Sequence, residues 1–282
     1  MILVAGGTGR LGRLVVQRLC AAGSQVRVLT RDPTRALPLD GTGAEIIVGD
    51  VRNPADLGPA VSGIDVVVSA VQGFAGPGRV SPESVDHKGN ANLVDAAAAV
   101  GADVVLMSGV DASPSSHMEL FRAKYAAERH LQASKAAWTI VRATAFVELW
   151  ADIMSKPVVL GRGENPINFV SVGDVAAVVE RAVLDPSLRG HVLEVGGPQD
   201  LTFNELAAIL QEVRGTTDKV RHVPRPVLRA LAPVSRKARA AVAMDTMEMT
   251  FDAAPARAGL PGLPFTDVRT ALAVVDPVGR PR

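Results

Sequence analysis

The feature that most constrains this chain is the run Gly6-Gly7-Thr8-Gly9-Arg10-Leu11-Gly12. It is set between the apolar stretch Ile2–Val4, which reads as a buried strand, and the periodic segment Arg10–Ala22, which reads as a helix. In that context each glycine has a physical task. Gly6 permits a tight turn, Gly9 lets backbone N–H groups approach an anion, and Gly12 lets the helix pack closely on the strand. The helix N-terminus then offers unpaired donors and partial positive charge to a pyrophosphate. Strand, glycine run, helix and the second strand Gln25–Leu29 follow within about 30 residues, which is the setting in which such glycines mean dinucleotide binding.

The same rhythm continues. Glu45–Val48, Asp65–Ser69, Asp103–Met107 and Thr139–Val141 read as buried strands, alternating with helical segments at Pro54–Val61, Val85–Val100 and Met118–Ala133. Right-handed crossovers turn this alternation into an α/β fold, a Rossmann-type doubly wound parallel sheet. After about residue 145 the pattern loosens. Gly161-Arg162-Gly163 reads as a hairpin turn, Val172–Leu184 as a helix and His191–Val195 as a strand returning to the sheet. Thr202–Val213 reads as a helix opened by a capping box of Thr202 and Glu205. We therefore expect a dinucleotide-binding core over 1–150. Residues 151–282 form a mixed region that returns to the core at about 172–215 and otherwise supplies a small C-terminal substrate subdomain. Within it, Lys219–Arg239 carries seven basic and no acidic residues, followed by Met244, Met247 and Met249. A solvated helix face with core methionines is preferred there over a basic lid on an anionic or membrane-derived substrate.

Composition excludes several classes. A single cysteine, Cys20, rules out an intramolecular disulfide and a cysteine-based metal centre. His87, His117, His130, His191 and His222 lack ligand-like spacing with carboxylates, so no metal site is expected. The net charge of +1 gives no global attraction to nucleic acid. The most apolar stretch, Ala96 to Met107, contains Asp103 and is short of the roughly 20 residues needed to cross a bilayer. No signal-like segment opens the chain, and a cytoplasmic protein is expected, as a monomer or homodimer.

The strand ends suggest which dinucleotide. At the second strand's end, where an acidic residue would hold a ribose 2′-hydroxyl, stand Thr30 and Arg31. Arg31, with Arg10 or Arg35, fits a 2′-phosphate, so NADP(H) is favoured over NAD(H). Asp32, one residue on, is the competing partner for the ribose. Asp50 and Val51, after the third strand, fit an adenine edge and face, with helix capping as the alternative role of Asp50. Ala70 and Val71 end the fourth strand on the ribose–nicotinamide side.

These pieces resemble the short-chain dehydrogenase/reductase superfamily, and more narrowly its atypical, NmrA-like NAD(P)-binding branch. The resemblance rests on residues 6–12, Thr30-Arg31-Asp32-Pro33, Gly49-Asp50 and Asn92-Leu93-Val94-Asp95-Ala96-Ala97. Further on it rests on Trp138-Thr139-Ile140-Val141-Arg142, residues 169–176 and Glu194-Val195-Gly196-Gly197-Pro198. It covers roughly residues 1–215. The branch holds both reductases of quinones, dyes and other small acceptors and cofactor-binding regulators without catalysis.

The resemblance implies a Ser–Tyr–Lys mechanism, and here the chain departs from it. Ser108 and Lys124 match the family's Ser and Lys, but four residues before Lys124 stands Leu120. Tyr125, the only tyrosine, lies about 100° around the helix from Lys124, and a register built on it would need lysine where Arg129 stands. Lys124 then has two candidate roles, a cofactor or proton-donor contact, or a surface ion pair with Glu128. His117 and the apolar residues Phe74, Phe146 and Trp150 are weaker candidates for contact with substrate. Two functions remain open. One is an NADP(H)-dependent oxidoreductase acting on a small quinone-like or conjugated carbonyl acceptor without the usual tyrosine. The other is a non-catalytic NADP(H)-binding redox sensor acting through a protein partner.

Overall fold

The computed structural model describes residues 1–74 and 80–274. Along the chain, β1 (Ile2–Ala5), α1 (Arg10–Ala21), β2 (Val26–Thr30), β3 (Glu45–Val48), α2 (Leu57–Val61), β4 (Val66–Ser69), α3 (Lys88–Val100), β5 (Asp103–Gly109), α4 (Glu119–Ala133) and β6 (Trp138–Ala143) alternate as the periodicity predicts. They are followed by β7 (Ala145–Phe146), α5 (Val147–Ile153), β8 (Val158–Leu160), β9 (Ile167–Val170), α6 (Val172–Leu184), β10 (His191–Val195), β11 (Gln199–Leu201), α7 (Phe203–Arg214) and β12 (Arg221–Val223). Four short helices close the described chain: α8 (Arg225–Leu231), α9 (Arg236–Met244), α10 (Ala254–Gly259) and α11 (Val268–Ala273). The residues divide into two compact units, Met1–Arg142 with Val175–Glu194, and Ala143–Asp174 with Val195 onward.

The first unit is built on a seven-stranded sheet in the order β3-β2-β1-β4-β5-β6-β10. β1 pairs in parallel with β2 and β4, β2 with β3, and β4 with β5. Strand order reverses at β1, so the crevice at the carboxyl ends of β1 and β4 is the switch point where such sheets take ligands. β1 and β5 are apolar almost throughout because helices cover both faces. Leu57, Leu93, Val94 and Leu131 from α2–α4 pack with Leu3, Val67, Val104 and Ile140 into one core. The α1 core residues Val15, Val16 and Leu19 are fully buried, and Arg18 on the rim of α1 is paired with Glu180 of α6 at 2.7 Å.

The predicted helix Val85–Val100 is in fact two pieces. Pro82–His87 forms one widened helical turn, capped by Ser81 and Ser84, and α3 proper begins at Lys88. This turn delivers Asp86 and Asn90 onto the buried stripe shared with Leu93 and Ala97.

In the second unit, β9 lies between β11, antiparallel, and β7, parallel. Gly161 and Gly163 take φ of +83° and +68°, the left-handed values of a tight turn. The predicted hairpin is nevertheless not formed. β8 pairs in parallel with β12, not with β9, because β9 has both of its edges filled. Fully buried Asn168 sets this unit's centre: its side chain donates to Gly197 O and Asp200 Oδ1 and accepts from Gly197 N–H. The Glu148 carboxylate accepts from Val172 N–H at the start of α6. The predicted capping box is present, with Thr202 Oγ1 accepting from Glu205 N–H and Glu205 accepting from Thr202 N–H. Thr202→Ala is expected to lower unfolding stability by about 1 kcal/mol in urea titration, and an unchanged midpoint would contradict this role of the cap.

Candidate dinucleotide-binding site

The glycine run makes the turn from β1 into α1 by close backbone contact. Gly6 has φ +83°, and a Cβ on it would fall 2.6 Å from Ala70 O, so the turn lies directly against the Ala70–Val71 peptide leaving β4. A Cβ on Gly12 would fall 2.2 Å from Gly6 O and 2.7 Å from Gly7 Cα. Gly9 is the N-cap of α1, its own N–H bonded to Gly6 O. No side chain caps this helix and no acidic residue stands in its first turn, so the amide-rich end around Arg10, Leu11 and Gly12 keeps its anion-binding character. Thr8 and Arg10 are half-buried beside it, and Leu11 is buried in the core.

Around the end of β2 the charges are sorted. Asp32 Oδ1 accepts from both the N–H and the hydroxyl of Thr34, which hold its carboxyl below the usual range and bind it into its own turn. Arg31 is exposed and close enough to act electrostatically on Asp50. Burial pushes Asp50 up, but Arg52 outweighs it through a two-pronged ion pair (Nη2 to Oδ2 2.6 Å), with a smaller pull from Arg31, and leaves the carboxyl lowered. Capping after β3 falls to Asn53, not to Asp50. Val51 is buried, Asn92 donates to its carbonyl oxygen at 3.0 Å, and Gly89 leaves room for its side chain.

Lys124 corrects the surface-pair alternative. It is 8% exposed, donates to Met107 O at 3.2 Å and lies 3.2 Å from Asp86 Oδ1. Glu128 instead receives Arg142 at 2.7 and 3.0 Å. Asp86 is fully buried. Its Oδ2 accepts from Gly73 N–H at 2.7 Å, and Asn90 bonds its backbone carbonyl while taking the Ser69 hydroxyl. Burial pushes the Asp86 carboxyl up, against the opposing pull of Lys124 and the Gly73 amide. Ser108, next to Met107, is buried with no hydrogen-bond partner for Oγ among the described residues. Sequence reasoning missed Asp86. The signal was available: at 86, 90, 93 and 97 one helical stripe carries two polar residues where apolar ones are expected.

The face Leu120, Lys124 and Glu128 is buried, whereas Tyr125, off that face, is half-exposed. His117 is exposed. Phe74 and Phe146 are half-buried, and Trp150 packs against Phe203 with ring centroids 4.7 Å apart and planes tilted by 54°. Of the methionines after the basic segment, Met244 is buried and Met247 half-buried. No three His, Cys, Asp or Glu residues converge on a metal-sized site among the described residues, and no described helix is long and apolar enough to cross a membrane.

A parallel sheet reversing at β1, with a glycine cradle and an uncapped helix end at that point, defines a Rossmann-type dinucleotide-binding protein. The NAD(P)H-binding family, by its sequence profile, matches residues 6–186. The chain is 31% identical to a (4-alkanoyl-5-oxo-2,5-dihydrofuran-3-yl)methyl phosphate reductase of Streptomyces griseus, over 95% of this chain and 96% of that protein. It is 29% identical to the NAD(P)H azoreductase of Xenophilus azovorans, over 90% and 84%. An NADPH-dependent quinone oxidoreductase of Escherichia coli, solved with NADPH, has the same fold, with TM-score 0.78 at 23% identity over 97% and 99% of the two chains. The chain belongs to the NAD(P)H-binding family, in the NmrA-like branch of the atypical short-chain dehydrogenases/reductases.

The cradle's tolerance is directly testable. Gly12→Ala forces a methyl into the Gly6 carbonyl. The variant should bind NADPH at least about tenfold more weakly by fluorescence titration, and undiminished affinity would contradict the close-approach role of Gly12.

Proposed function

We propose that the protein is an NADP(H)-dependent oxidoreductase passing hydride to a small quinone-like or conjugated carbonyl acceptor. The observation that carries this reading is the buried Lys124 ammonium of α4, bonded to Met107 O on β5, with the next residue of that strand, Ser108, carrying an unpartnered hydroxyl. Reductase relatives acting on a conjugated lactone phosphate and on azo compounds support the acceptor class. Gly6, Thr8, Gly9, Arg10, Leu11 and Gly12 hold the pyrophosphate. Asp50 and Val51 border the adenine, and Ala70 and Val71 pass the ribose–nicotinamide side. The residues suit the group, since a side chain at Gly12 would fill the cradle and the helix end has no cap of its own. When bound, the nicotinamide supplies the hydride.

The chain's own groups supply position and charge. Lys124 has three N–H donors. One goes to Met107 O, and with the ammonium held by charge beside Asp86 the others are left for a ribose hydroxyl or the acceptor oxygen. Ser108 donates its hydroxyl to the same oxygen. With Leu120 in place of tyrosine, no phenol relays a proton. A quinone tolerates this because its reduced oxygen is a stabilised phenolate, which needs less help from an acid than a simple alkoxide does. The protein is read as cytoplasmic.

NADP(H) is preferred because Arg31 is exposed at the end of β2 while Asp32 is committed to Thr34. Arg31→Ala should weaken NADPH binding about tenfold and leave NADH unchanged in parallel titrations. Tighter binding of NADH by the unsubstituted protein would overturn the preference. Leu120 also favours a second reading, a cofactor-binding redox sensor that acts through a protein partner. NADPH consumption across a panel of quinones, azo dyes and enones separates the two. The oxidoreductase gives turnover that falls at least about a hundredfold in Lys124→Ala. No turnover on any acceptor, with NADP⁺ and NADPH bound equally well, would leave the sensor.

A further inference from the structure

Asp86 is a fully buried carboxylate with no part in the reading above beyond its contact with Lys124. Its surroundings are specific. Oδ2 accepts from Gly73 N–H, in the segment leaving β4. Oδ1 faces the Lys124 ammonium at 3.2 Å and accepts no aligned hydrogen bond, so that contact is one of charge. Behind it, Asn90 fixes the Asp86 backbone and is itself held by Ser69 at the end of β4. The carboxylate thus joins three parts of the unit: the β4 exit, the α3 entry and the lysine on α4.

A buried ion pair repays its desolvation poorly, and two apolar side chains of similar volume commonly do better. A carboxylate placed here has its clearest use in aiming the ammonium. Lys124 carries a long flexible stem, and without a fixed counter-charge its head group has no unique position. Asp86, by charge, and Met107 O, by a hydrogen bond, hold the ammonium from two directions, which limits where its remaining N–H groups can point.

We propose that Asp86 is a positioning residue for the dinucleotide site, holding Lys124 ready for the cofactor and coupling it through Gly73 to the segment that leaves β4. The proposal rests on the reading that Lys124 meets the cofactor. The test is a double-mutant cycle on NADPH affinity, measured by cofactor fluorescence on the full chain without turnover, using D86N, K124M and D86N/K124M. Both single variants should weaken NADPH about tenfold, and D86N should add less than about twofold once Lys124 is gone. A residue that only shapes the loop would cost the same in both backgrounds, and that result overturns the proposal. So does a D86N variant that binds as the unsubstituted protein does while K124M is weakened. If K124M itself binds normally, the reading of Lys124 falls first and the proposal with it. Should D86N not fold, D86E moves the carboxylate by one methylene while keeping its charge, and serves as the single variant. It should then bind NADPH more weakly while D86N/K124M folds and matches K124M, and normal binding by D86E overturns the proposal.

Discussion

The structure depends on the contact between Gly12 and the Gly6 carbonyl. No other side chain fits there, since even a Cβ would stand 2.2 Å from the oxygen. Because the contact is this close, α1 starts directly behind the carboxyl end of β1, and its uncapped amides face the crevice at which the strand order reverses. The cradle's second wall is the Ala70–Val71 peptide, against which Gly6 is pressed, so β1, α1 and the β4 exit form one rigid corner. An uncapped helix N-terminus of this kind offers its backbone donors to an anion.

Charge enters at two further places, and the chain treats them differently. At the rim, Asp32 and Asp50 are each engaged close by, by Thr34 and Arg52, which leaves Arg31 as the exposed cation at the end of β2. Such surface pairs contribute little to stability. In the interior, Asp86 and Lys124 form a buried pair that desolvation opposes and that is poor value as a source of stability. The interior holds the Lys124 ammonium between Asp86 and Met107 O.

Most of the sheet was legible because buried parallel strands and covering helices leave strong local patterns. Val104–Leu106 and Val66–Val68 are apolar on both faces, and Thr202 and Glu205 announce α7 in four residues. The glycine cradle was legible for the same reason, since its chemistry is local and sequential. What escaped was pairing over distance. The turn Gly161-Arg162-Gly163 has the right backbone for a hairpin, but strand partners are chosen by edge availability, and β8 joins Arg221–Val223 some 60 residues later. Likewise the spacing offers Glu128, one turn along, only as an alternative partner for Lys124, and the arrangement that forms crosses elements: Glu128 to Arg142 on β6, and Lys124 to Asp86 ahead of α3. The departure at Leu120 could be read from spacing alone. Its counterpart, the carboxylate that fixes Lys124, could be seen only once the helices were packed.

We propose that a nicotinamide dinucleotide lies across this corner, with its pyrophosphate on the amides of residues 8–12 and its ribose within reach of Lys124. A crystal structure of the NADPH complex tests it most directly. The expected result is phosphate oxygens within hydrogen-bond distance of the first-turn N–H groups of α1, and Lys124 Nζ in contact with the nicotinamide ribose or the acceptor side of the ring while still paired with Asp86. NADPH bound with its pyrophosphate elsewhere, or with Lys124 Nζ touching neither ribose nor ring, would contradict it.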